Sequence, residues 1–217
     1  RLALPILVSL VFIAPAQAGV TLIASGALNG TNDLSGLSGA LENGVAANVL
    51  GGMGSGLAWA GGNTFLALPD RGPNASSYAG GGAIDNTTSY IDRFQTITLN
   101  LTQSHSAGSF SYALSTALNQ TTLLYSPNAL NYGSTVGLPS AVPVQNTAER
   151  NYFTGRSDNF AAGNSLAANN ARLDPEGIRV ANDGKSVYVS DEYGPYVRQF
   201  DRASGALIKT FALPANL

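Results

Sequence analysis

The sequence predicts an all-β fold, in its most economical form a β-propeller-like arrangement with an incomplete ring, and otherwise a β-sandwich. Three observations carry this. The 217 residues include 25 glycines, and 44% are hydrophobic but only 11% charged. That is a strand-and-turn composition, since a helical bundle needs more Glu, Lys and Arg on its wet faces. The apolar runs alternate with period two, and none shows the spacing of an amphipathic helix. Finally, one hairpin pattern occurs twice. With no gap, Gly56-Leu57 falls on Gly177-Ile178, 121 positions later, and Trp59 then falls on Val180, Leu66 on Val187, Leu68 on Val189 and Asp70 on Asp191. A propeller blade takes about 40 to 50 residues, so the region after the leader supplies roughly four blades. The chain ends directly after a strand-like run, which leads us to expect an incomplete ring.

The first eighteen residues read as a leader. Residues 2–14 (LALPILVSLVFIA) form an apolar run interrupted by Pro5, followed by Pro15 and Ala16-Gln17-Ala18. This is the pattern of a secretory signal with a small-x-small cleavage site, and it is short for a membrane span. The expected mature domain is 19–217, with Arg1 the remnant of a basic segment; the alternative is an uncleaved N-terminal anchor. We expect a secreted or periplasmic protein with no stable membrane anchor after cleavage. There is no cysteine, which excludes disulfides, a Cys nucleophile and thiolate metal sites. A formal charge of −2 with only two lysines, Lys185 and Lys209, argues against nucleic acid as a partner.

Along the domain, residues 20–28 (VTLIASGAL) predict a strand, and 29–54, rich in Gly, Asn and Ser, predict turns and loop. Gly51-Gly52-Met53-Gly54 lacks the GK[ST] ending of a phosphate loop and reads as a flexible turn. Residues 56–73 predict two short strands about a Gly-Gly-Asn turn. Residues 90–101 (YIDRFQTITLNL) predict a strand with one dry face. From 109 to 125 a strand-like start at 110–114 gives way to a piece that reads as helical or irregular. Residues 126–172 show little periodicity, and a loop that long usually carries function or hides structure.

The acidic centre of the chain is residues 173–201, LDPEGIRVANDGKSVYVSDEYGPYVRQFD. It holds Asp174, Glu176, Asp183, Asp191, Glu192 and Asp201, six of the 13 acidic residues. If Asp70 and Asp191 end equivalent strands, their carboxylates emerge on the same rim. Converging carboxylates repel unless a cation lies between them, and Ca2+, which takes oxygen ligands, is the natural candidate outside the cytoplasm. The alternative is that these acids cap turns, accepting backbone amides at strand ends. Asp183-Gly184 and Asp201 read as turn residues only.

Three segments, 54–74 (GSGLAWAGGNTFLALPDRGPN), 152–160 (YFTGRSDNF) and 173–205, resemble the bacterial phytase-like family, described by its "esterase-like activity of phytase". The most specific motif is Asp174-Pro175-Glu176-Gly177-Ile178 followed by Ser190-Asp191-Glu192-Tyr193-Gly194-Pro195. The resemblance implies an exported β-propeller domain that hydrolyses a small-molecule phosphoester or ester. Carried over by position, it implies Asp70, Asp158, Asp174, Glu176 and Asp191 as metal ligands. It further implies Arg71 and Arg156 as bidentate partners of a phosphate or carboxylate, and Glu176 or Glu192 as general base. A non-catalytic binding module with structural calcium and a lactonase of the gluconolactonase type are the alternatives.

Other chemistries find less support. His105, the only histidine, lies in what reads as a polar loop, and no G-x-S-x-G elbow accompanies it; Gly36-Leu37-Ser38-Gly39-Ala40 comes nearest. Zinc sites with three histidines are excluded. Trp59, Tyr193 and Tyr196 read as packing and rim residues, with Tyr193 placed to touch a substrate.

Overall fold

The computed structural model describes residues 19–74, 87–133, 142–156 and 167–214; the expected leader lies outside them. Among the described residues there are ten strands and no helix, so the all-β expectation holds. Strands β1 (Gly56–Trp59), β2 (Thr64–Leu68), β3 (Arg93–Ser106) and β4 (Ser109–Leu123) form one antiparallel meander in sequence order. A second runs through β7 (Pro175–Val180), β8 (Ser186–Asp191), β9 (Tyr196–Asp201) and β10 (Leu207–Ala212). Strands β5 (Tyr125–Ser126) and β6 (Asn151–Tyr152) make a small third sheet. None of the sheets closes on itself.

The two meanders meet through their first strands, β1 against β7. Gly56 permits that approach: a Cβ there would lie 3.0 Å from the backbone nitrogen of Ile178 and 3.2 Å from its Cγ2. Between the sheets sits one core of Leu66, Leu68, Phe94, Leu124, Phe153, Leu173, Ile178, Val187, Val189 and Phe200. Each such side chain contributes about 1.5–3 kcal/mol by leaving water. Phe153 meets Phe200 edge-on, with ring centroids 5.7 Å apart.

The hairpin repeat is real in pattern but not in register. β1 pairs Gly56 with Leu68, whereas β7 pairs Gly177 with Ser190 and Ile178 with Val189. The gapless overlay therefore suits β2 on β8, which bury Leu66, Leu68, Val187 and Val189, but it sets exposed Leu57 on fully buried Ile178. A one-residue difference in pairing turns a strand's side chains to the opposite face.

Further expectations are corrected. Residues 20–28 form no strand, and Val20 and Leu22 are exposed. Alternation alone does not hold a strand without a neighbouring ladder; the local tie is Thr116 Oγ1 donating to the carbonyl of Ala27 at 2.6 Å. The piece after 114 is neither helical nor irregular: β4 pairs with β3 from Ser109 opposite Ser106 to Leu123 opposite Arg93. Cross-strand pairing decides the conformation of Ala, Leu, Asn and Gln residues that have weak preferences of their own. His105 accordingly lies in β3 near the tip of this long hairpin, stacked 4.7 Å from Phe110, and not in a loop. Trp59 is 65% exposed, its Nε1 donating to the carbonyl of Gly62, so it does not pack in the core.

Segment 31–50 lies beside the first meander and is tied down by a buried ion pair. The Arg93 guanidinium bonds the Asp33 carboxylate, donates through Nε to the carbonyl of Ile91 at 2.7 Å, and sits 3.9 Å over the Tyr90 ring. Desolvation there raises the Tyr90 phenol.

Candidate functional site

Antiparallel meanders bring alternate strand ends to one side. The end of β2 and the starts of β1 and β3 share one end of the first sheet; the start of β7, the end of β8 and the start of β9 share one end of the second. The candidate acids flank these ends. Asp70 follows β2, Asp174 precedes β7, Glu176 lies within β7, Asp191 closes β8, and Glu192 follows it.

Asp70, Asp174 and Glu176 each offer a carboxylate oxygen, and the three lie within 4.8 Å of one another. Asp174 is buried and Glu176 exposed, so the group spans the surface. Arg71 Nε lies 3.6 Å from Asp174 Oδ2 while its Nη1 donates to Asn74 Oδ1 at 2.9 Å. Burial, and after it the bonded Asp70, push the Asp174 carboxyl up to about 8 against the pull of Arg71. Partial desolvation, then Asp70 and Glu192, raise Glu176. The backbone amide of Glu192 donates to the carbonyl of Asp174 at 2.9 Å, which holds the two acidic segments side by side.

Asp191 stands beside this trio rather than in it. Its Oδ1 accepts the amides of Asp174 and Tyr193, both at 3.1 Å, and its Oδ2 faces Arg198 at 3.4 Å. Both oxygens are thus engaged in fixing the loop that carries Asp174. Burial raises its carboxyl, and Arg198 opposes that. Asp183 and Asp201 act as turn residues: Asp183 accepts the amide of Lys185, and Asp201 accepts both the amide and the hydroxyl of Ser204.

Arg156 is buried at 1% exposure, on the segment that follows β6, and Asp158 lies outside the described residues. The neighbouring Gly155 explains how that segment reaches Arg71. A Cβ at Gly155 would stand 1.7 Å from the carbonyl oxygen of Arg71, so only hydrogen fits. Gly155 also donates to the carbonyl of Tyr90 at 2.9 Å and accepts the Tyr193 hydroxyl at 3.1 Å. Gly155→Ala is expected to cost at least about 1–3 kcal/mol, since backbone and not a flexible side chain must move. A urea midpoint equal to that of the unaltered chain would overturn this.

The sequence reading missed Asp92, which precedes β3 at the same end of the sheet. The β2–β3 register sets Ala67 opposite Gln95, and carried outward it brings Asp92 level with Asp70. Asp92 is wholly buried, and neither of its carboxylate oxygens has a hydrogen-bond partner among the described residues. Burial, then Asp191 and Asp174, push its carboxyl well above the usual range. The available signal was an acid inside the run YIDRF, where both neighbours are apolar or core-bound.

Beside Asp70 opens a cleft of about 530 Å³, lined by Thr31, Leu50, Gly51, Gly72 and Pro73 among others. Gly72 has φ +89° and lies against the Tyr90 ring, where a Cβ would stand 2.4 Å from Cγ, so the Asp-Arg-Gly-Pro turn is held flat under that ring. No helix among the described residues is long and apolar enough to cross a membrane.

Fold and site together define an all-β protein that gathers carboxylates and arginines at one end of two meanders, at the mouth of a cleft. The family described as phytase-like, with esterase-like activity of phytase, matches residues 48–217, and the chain belongs to it. Membership of that family suggests a hydrolase of the phytase-like type. No curated protein and no solved structure matches the chain.

Proposed function

We propose that this is an exported, metal-dependent phosphoester or ester hydrolase on a propeller-type scaffold. The observation that carries the reading is the convergence of Asp70, Asp174 and Glu176 within 4.8 Å next to an open cleft. The two four-stranded meanders packed through their first strands support the scaffold, because successive propeller blades are four-stranded units of this kind.

Three hard oxygen donors, one of them buried, fit a divalent cation of the Ca2+ type and unite acids that otherwise repel. Bound there, such an ion supplies positive charge to a phosphoryl or carbonyl oxygen of the substrate. The chain's own groups do the rest. Arg71, at the rim, offers a planar fork to an anionic substrate group. Glu192, which follows β8 beside Asp174, takes the proton of the attacking water.

Hydrolysis of p-nitrophenyl esters, p-nitrophenyl phosphate and phytate, with and without chelator, tests this. Activity is expected to vanish with chelation, and Glu192→Gln is expected to lower kcat by about 10²–10⁴-fold, the usual worth of a general base. Turnover indifferent to both would end the proposal. A lactone in the same panel separates a gluconolactonase-type activity. A rise in Tm with Ca2+ but no turnover on any substrate would identify a binding module instead.

A further inference from the structure

We propose that the cleft beside Asp70 seats an uncharged, apolar arm of the substrate, which makes the substrate a carboxylic ester with an apolar group and excludes polyphosphates such as phytate. The inference rests on the hydrolase reading above, whose substrate class it names. Nine residues line the cleft, and Asp70 is the one it shares with the carboxylate trio. Besides Asp70 only Thr31 has a polar side chain, and its Oγ1 donates to Asn32 Oδ1 at 3.3 Å. Val49, Leu50 and Pro73 are half-buried, the other four positions are glycines, and none is basic. The wall is also preformed. The Tyr90 hydroxyl donates to the carbonyl of Val49 at 3.2 Å. Leu50 donates its amide to the carbonyl of Thr31 at 2.8 Å and accepts Gln95 Nε2 at 3.4 Å. A fixed apolar concavity takes an apolar group at little ordering cost, and this one opens beside the trio.

The placement of the basic residues excludes polyanions. There are 11 in the chain; Arg1 lies in the expected leader, and the other ten are described. Arg93 bonds Asp33 and Arg198 bonds Asp191, all four buried, and Arg156 is buried as well. Arg150 stands 5.2 Å over the Tyr125 ring, and Arg172 is at the same distance over Tyr193. Arg179 and Lys209 lie within β7 and β10, while Lys185 and Arg202 lie in turns at the end of the second meander remote from Asp174. Among the described residues only Arg71 is ion-paired with the trio, 3.6 Å from Asp174. Facing it are Asp70, Asp174 and Glu176, with Glu192 beside Asp174. One divalent ion brings this group to about neutrality, whereas each phosphate monoester adds about −1.5 to −2 charges. Several such groups would meet carboxylates with no further cation, and like charges repel at that range. A neutral ester meets no such barrier. In its hydrolysis the water oxygen bonds the carbonyl carbon and the ester C–O bond breaks. The proton taken by Glu192 passes to the departing alkoxide, so the products are a carboxylic acid and an alcohol.

Initial rates of the full-length chain with Ca2+ test this. Lengthening one arm of the ester is expected to raise kcat/KM on the order of tenfold, through the added buried methylenes. The acyl arm is read by p-nitrophenyl butyrate against acetate, and the alcohol arm by butyl against methyl acetate. Phytate is expected to release no phosphate. Gly52→Phe fills the cleft without strain, since a Cβ there meets nothing within 4 Å and φ is not left-handed, so Tm is expected to hold. It should erase the preference, and Gly54→Phe, equally open but outside the cleft, should keep it. A flat preference, one that survives Gly52→Phe, or turnover of phytate overturns the inference and leaves the hydrolase reading standing. Butyranilide, an amide with the same apolar arm, supplies a readout without turnover, by titration calorimetry. If it binds and Gly52→Phe abolishes the binding while no ester is hydrolysed, the hydrolase reading falls and the apolar subsite stands. Neither binding nor turnover overturns both.

Discussion

Arg198→Ala is expected to destabilise the protein by about 3–5 kcal/mol, the cost of stranding a buried charge. Arg198 is 1% exposed, and its Nε and Nη2 both reach Asp191 Oδ2 at 3.4 Å. Its Nη1 donates to the carbonyl of Ala168 at 3.0 Å, and the guanidinium stands 4.9 Å over Phe153 and 5.2 Å over Tyr196. Truncation removes this packing and leaves Asp191 uncompensated. Because Asp191 Oδ1 holds the amides of Asp174 and Tyr193, the damage extends to the loop that carries the site. Chemical denaturation reads the loss directly. Arg198→Lys keeps the charge without the fork and should fall between the two. A loss under about 1 kcal/mol would mean that the pair behaves like an exposed one.

Without divalent cations, stability is expected to fall as pH rises from about 4 to about 8. Asp174 carries its proton up to about 8 in the folded chain, against 3.8 when unperturbed. Across that window the folded state holds a proton that the unfolded chain has released, so unfolding free energy declines with pH. The contribution is complete below the unfolded value and gone above the folded one. Asp92, Asp191 and Glu176 are also raised, chiefly by burial, and add in the same direction. Asp201 is lowered by its bonds from Ser204 and opposes them, but from an open turn. Glu176 is exposed and screened by solvent, so its share is small, and the effect of the buried acids is on the order of a few kcal/mol. Asp174→Asn should flatten the slope. Saturating Ca2+ should reverse it, because a cation takes the deprotonated carboxylates and binds more tightly as pH rises. Stability in chelator that instead increases from pH 4 to pH 8 would show that these acids ionise freely.

Much of the candidate site was legible because its residues sit in short, specific motifs. Asp70-Arg71-Gly72-Pro73 and Asp174-Pro175-Glu176-Gly177 both occur at strand ends, and the structure brings Asp70, Arg71, Asp174 and Glu176 together. Asp191 belongs to an equally specific motif, yet its oxygens hold the loop and Arg198. Which acid joins the cluster and which one caps depends on neighbours far away in sequence. Asp92 carried no motif. Only the β2–β3 register and the crossing of the 153–155 segment bury it, level with Asp70.

The sequence by itself determined the class of fold, the strand pairs about Gly-Gly-Asn and Asn-Asp-Gly, and the acidic centre. Alternation and turn chemistry are local, and a resemblance carried by contiguous motifs does not require knowing which strands meet. The tertiary structure alone decided pairing. It made a strand of residues 109–123 because β3 offers a full ladder, and it denied one to 20–28 because none of the described residues pairs with them. It also set the two hairpins one residue out of step and closed Gly155 onto Arg71. Register, desolvation and close approach are relations between distant segments, and those same relations decide which of the thirteen acids become a site.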